Sequence, residues 1–140
     1  MKLFISTPMH GLTDDEIKET FKRIRIKAAE FFKDENIATQ SVVSNALFGR
    51  NCKGKSRVQM LGHSISLLDT VDAIIFTKGF SQARGCMIEY YTVDKYADDW
   101  HNIRILFETD KGLKEAKNFH ERFKYVNKDR FYAENKEDEE

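Results

Sequence analysis

The chain has 140 residues, 41% hydrophobic, 12% aromatic and 33% charged, enough to bury a core of its own without disulfides or a structural metal and too apolar for intrinsic disorder. Its 23 Lys and Arg balance 23 Asp and Glu for a net charge of +0, which excludes the global field that draws a protein onto extended nucleic acid or an anionic membrane. No apolar run approaches the roughly twenty residues of a membrane span, the opening run is too short for a secretion signal, and Cys52 and Cys86 lack metal-ligand spacing, so a reduced, cytoplasmic single domain is expected.

Lys2 to Ser6 reads as a short apolar strand, broken by the loop Thr7-Pro8-Met9-His10-Gly11. Thr13 followed by Asp14, Asp15 and Glu16 is the signature of a capped helix start. Ile17, Phe21, Ile24, Ala28 and Phe31-Phe32 recur at helical spacing up to Asn36. Ile37 to Val43 reads as a second strand. Ser44 to Arg57 is a polar loop carrying Arg50, Lys53, Lys55 and Arg57, a solvated surface or a phosphate contact. A helix is expected over Val58 to Leu68, a buried parallel strand over Ala73 to Phe76, a helix over Gly85 to Trp100 and a strand over Ile103 to Phe107. After Asp110-Lys111-Gly112 the pattern suggests a helix to about Phe123, then an aromatic, basic stretch from Tyr125. The charged end from Glu134 to Glu140 has nothing to bury and is expected to be disordered. Strands alternating with helices imply an α/β fold, a parallel sheet covered on both faces.

In such sheets ligands bind at the carboxyl ends of the strands, which draws attention to Gly79-Phe80-Ser81-Gln82-Ala83-Arg84-Gly85-Cys86-Met87-Ile88-Glu89. Gly79, Ala83 and Gly85 let backbone approach a ligand, and a helix start offers N–H groups to an anion. Glu89 in the first turns serves either as nucleophile or acid–base group, or as a dipole and salt-bridge partner. Asp72 caps the preceding turn or faces the cleft. Ser6, Thr7, Met9, His10 and Gly11 form a plain turn or a sugar and phosphate contact. His10 and His63 have no partner at ligand spacing, so no metal site is expected. Cys86 sits beside the helix start, which lowers a thiol pKa, although small buried packing is the commoner role. No P-loop and no strand-bound dinucleotide fingerprint is present.

The first-strand loop Ser6-Thr7-Pro8-Met9-His10-Gly11, with Leu68 to Ala73 and Gly79 to Glu89, resembles the nucleoside 2-deoxyribosyltransferase-like superfamily. Its small, phage-rich DUF4406-type branch shares the order and spacing of these segments over about Lys2 to Phe107. The resemblance implies a Rossmann-like (flavodoxin-like) domain over residues 1–124, with 125–140 as a C-terminal extension, and no cofactor. It implies N-glycosidase or deoxyribosyltransferase activity on a nucleoside, nucleotide or nucleotide derivative, with Glu89 as nucleophile and Asp72 orienting it or the sugar. Ser6, Thr7, Met9, His10, Gly11, Ser64, Gly79, Phe80, Ala83, Arg84 and Gly85 would contact substrate, in a homo-oligomer working in the host cytoplasm if phage-encoded. Ser64 stands where many relatives carry an Asp, Ala83 where nucleotide-hydrolysing relatives carry a phosphate-binding Ser, and Thr7 where Gly is usual. These departures point to the alternative, a protein that binds and sequesters a nucleotide derivative without turnover.

Overall fold

A computed structural model describes residues 1–38, 43–44, 54–97, 99 and 102–126, with residues 43–44 described through their backbone. In chain order it contains β1 (Leu3–Ser6), α1 (Asp14–Phe32), β2 (Val43–Ser44), α2 (Arg57–Leu67), β3 (Ala73–Phe76), α3 (Arg84–Tyr96), β4 (Arg104–Thr109), β5 (Gly112–Glu115) and a last helix, α4, over 119–126. The protein is α/β, with an open sheet in the order β2-β1-β3-β4-β5 that is parallel except for β5.

Successive strand residues point to opposite faces, and the apolar runs of β1, β3 and β4 fill both. Phe4, Ile74, Phe76, Ile105 and Phe107 pack under α3 with Tyr90 and Val93. Leu3, Ile5, Ala73, Ile75 and Leu106 pack under α1 with Ile17, Phe21, Ile24 and Ala28. The expected capping box is present at the start of α1: the Thr13 hydroxyl accepts from Glu16 N–H, and the Glu16 carboxylate accepts from Thr13 N–H. The helix stops at Lys33 in the left-handed conformation, three residues before Asn36. A second capping box, Ser56 with Gln59, opens α2.

Three expectations change. Ile37, read as strand, is buried within a 3-10 turn over Glu35–Ala38, and the strand itself is Val43–Ser44, with 39–42 outside the described residues. The segment after Gly112, read as helix, first forms β5, because pairing with β4 overrides its helix-forming residues. Gly112 takes φ 103° at the end of the Asp110-Lys111 turn, and Thr109 Oγ1 donates to its carbonyl at 2.8 Å. The break expected after residue 124 falls inside α4, where Tyr125 stacks on Phe107 with ring centres 4.4 Å apart and Val126 is buried. Arg50, Cys52, Lys53 and the charged end from Glu134 lie outside the described residues, and no described helix is long and apolar enough to cross a membrane.

Candidate functional site

The chain leaves β1 toward β2 on one side and returns to β3 on the other, so the carboxyl ends of β1 and β3 form a topological switch point, where open α/β sheets bind ligands. Ser6 ends β1 opposite Phe76, the last residue of β3. Its Oγ donates to Glu89 Oε1 at 2.8 Å, and both residues have no exposed surface. The next residue on each strand continues the pairing through hydroxyls, Thr77 Oγ1 donating to Thr7 Oγ1 at 2.7 Å.

Thr77 opens a turn in which Phe80 N–H donates to Thr77 C=O. Its third position, Gly79, has φ 81° and ψ 6°, the left-handed corner of a type II turn, which disfavours a side chain. One 3-10 turn, Phe80–Gln82, then delivers the chain into α3. Ala83, at the N-cap, has no side chain able to cap the helix. Cys86 and Glu89, one helical turn apart, face the end of β1 together. The helix start would lower the Cys86 pKa, but burial raises it to about 12; a bond with Ser6 opposes that rise and the Glu89 charge adds to it. The thiol is therefore protonated and inert at neutral pH.

Above this pair lies a cleft of about 740 Å³. Thr7, Met9 and His10 form one side; Gly79, Ala83, Arg84, Gly85 and Cys86 form another. The structure therefore brings together most of the residues singled out in the sequence, with Ser6 and Glu89 behind the wall made by Thr7 and Cys86. Four expected residues lie elsewhere. Gly11 is in the exposed turn beyond His10, Ser64 is buried on α2, and Phe80 points into a ring cluster with Phe76 and Tyr90.

The fourth, Asp72, is at the opposite end of β3. Its Oδ2 accepts from Lys2 N–H at 2.6 Å, its own N–H donates to Lys2 C=O, and its carbonyl accepts from Arg104 N–H. Asp72 thus ties the amino ends of β1, β3 and β4, about 13 Å of strand from the Ser6 end. It does not orient Glu89.

The sequence reading placed Arg57 in a polar loop, as solvated surface or phosphate contact, and missed the rest of the third wall, Met60 and Leu61 from α2, together with Pro8 and Gln82. The signal for Arg57 was Ser56-x-x-Gln59, which makes it the first helical residue rather than the end of a loop. Arg57 and Arg84 make no ion pair with a described residue, whereas Arg23, Arg104 and Arg122 are all paired. No carboxylate belongs to the described cleft wall, so the cleft is cationic inside a protein of no net charge. Compared with protein-family models, curated proteins and solved structures, the chain gives no match.

Proposed function

We propose that the cleft takes a nucleoside or nucleotide-like ligand and that Glu89 acts on its N-glycosidic bond, by hydrolysis or transfer. The observation that carries this reading is the Ser6–Glu89 hydrogen bond at the switch point. The strand order suits a Rossmann-like, flavodoxin-like domain. An oxocarbenium-like transition state is stabilised by a carboxylate beneath the sugar. In this scheme the wall of Thr7 and Cys86 opens so that a Glu89 oxygen reaches and bonds the anomeric carbon as the bond to the base breaks, and the electron pair leaves with the base nitrogen, protonated from the cleft by His10 or water. Water or a second base then displaces the carboxylate. A phosphate on the ligand would meet the start of α3 and the guanidinium groups of Arg84 and Arg57. Asp72 has no part in this scheme. A cytoplasmic homo-oligomer belongs to the same proposal, supported by the exposed rings of Phe119 and Phe123, stacked 5.6 Å apart on α4. A monomer by light scattering at micromolar concentration would remove the oligomer.

One observation favours binding without turnover: Glu89 has no exposed surface, and Ser6 and Cys86 stand beside it. On that reading the Ser6–Glu89 pair braces the wall of Thr7 and Cys86 against which a nucleotide derivative is sequestered. Incubation of wild type and Glu89→Gln with nucleosides, nucleotides and NAD-related compounds, followed by chromatography, separates the two. Free base from wild type alone supports the enzyme; intact ligand retained by both supports the binding protein.

A further inference from the structure

The Thr77–Gln82 loop has a second side. There it closes a cavity of about 440 Å³ between the ends of β3 and β4 and helix α4, within the range of small-molecule sites. Three rings meet at it: Phe107 and Tyr125 are stacked, and Phe80 is tilted 5.5 Å from Phe107. Its charged groups already have partners. Glu108 accepts from Arg23 and Lys27, and Asp110 pairs with Lys78. The Ser6–Glu89 cleft on the other side of the loop instead carries two arginines unpaired among the described residues. An anion meets arginines without a described partner in that cleft and cations already partnered here. Two groups at the aromatic cavity are uncommitted, since the Gln82 carboxamide and the Tyr125 hydroxyl make no hydrogen bond with a described residue.

We propose that this cavity binds a planar, uncharged heteroaromatic ring of the nucleobase kind, at a site separate from the Ser6–Glu89 cleft. Phe80 and Phe107 are almost wholly buried, so contact falls mainly on the half-buried Tyr125 ring, which favours a ring in edge-to-face or offset contact. A carboxamide presents one donor and one acceptor side by side, the pattern that matches the edge of an amino-substituted ring. Gly79 and Gln82 line both cavities, so a ring held here sits next to any ligand in the cleft.

The test is titration of ¹⁵N-labelled full-length protein with adenine, which is neutral at pH 7, and mapping of amide shifts. The expected result is perturbation of Lys78, Phe107 to Asp110 and Tyr125 at millimolar adenine or below. Tyr125→Leu, checked as folded by its own spectrum, should weaken binding at least about fivefold, and Arg84→Ala should leave it unchanged. Absence of any shift at millimolar adenine overturns the proposal, as do shifts confined to Thr7–His10 and Arg57–Leu61. No turnover is required, so failure here is read separately from failure of the glycosidic reading.

Discussion

Glu89 and Glu108 are both buried carboxylates near the carboxyl end of the sheet, on either side of the loop after β3, and their surroundings differ. Glu108 Oε2 accepts from Arg23 and from Lys27 at 2.7 Å, while Oε1 accepts from Lys78 N–H at 3.1 Å. Burial pushes its carboxyl up, but the Lys27 hydrogen bond, the Lys78 N–H and the Arg23 charge outweigh burial and the net direction is down. Its bonding capacity is directed at fastening α1 and the loop to β4. Glu89 is met instead by the Ser6 hydroxyl and the un-ionised Cys86. Burial alone therefore does not set the state of a buried acid; the donors around it do.

The largest effect that sharpens this contrast is on turnover. If Glu89 is the nucleophile, Glu89→Gln lowers base release at least about a thousandfold, some 4 kcal/mol of transition-state stabilisation, while the thermal midpoint stays near wild type. Glu108→Gln should do the reverse. Removing one member of a buried ion cluster costs about 3 kcal/mol or more, reduced here to roughly 2 because Arg23 and Lys27 reach solvent. The thermal midpoint should fall by about 5 °C with base release per folded molecule retained, as read by calorimetry and chromatography. The pH dependence has a definite sign. A carboxyl held below its ordinary range in the folded state stabilises it above about pH 4 and loses that contribution as pH falls through the folded value. Glu115, held low mainly by its Arg104 hydrogen bond, adds in the same direction. Glu108→Gln should therefore flatten the fall in urea midpoint on acidification; an unchanged slope would assign it to other groups.

Much of the frame was legible because local signals agreed with the packing. The Ala73–Phe76 run is the central strand, Thr13 caps α1, and the segment from Gly79 to Cys86 borders the cleft. Position in a parallel sheet also decides the case of Asp72. It precedes β3 and so lies at the amino end, away from ligands, where its carboxylate bonds Lys2 N–H rather than the turn before it. Other features depend on distant partners. β5 has one buried apolar residue, Leu113, and is held by its backbone pairing with β4, beside which Arg104 and Glu115 bond at 2.5 and 3.0 Å. Glu108 followed the expected end of its strand, and its cations are more than eighty positions away. The arginines were visible as residues, but that no described carboxylate pairs with them appears only after folding.

That charge pattern gives the next prediction. Arg57→Ala and Arg84→Ala should each weaken AMP by roughly tenfold and adenosine little, because only AMP carries the charge they would neutralise. Equal losses for both ligands would make the arginines general wall residues and erase the electrostatic difference between the two cavities. Raising salt should weaken AMP in wild type more than in either variant.

The smallest effect concerns the other ion pair at the loop. Lys78 and Asp110 are bonded, yet their side chains are 52% and 88% exposed, so water solvates each whether or not they meet. Asp110→Asn should leave the urea midpoint unchanged within error, whereas Glu108→Gln, two residues earlier on β4, lowers it. Both acids border the same cavity and contact the same lysine residue, one through its side chain and the other through its backbone. If Asp110→Asn proved as damaging as Glu108→Gln, bonding to the loop rather than burial would govern stability, and the distinction between a saturated buried acid and an exposed one would fail on this side of the sheet.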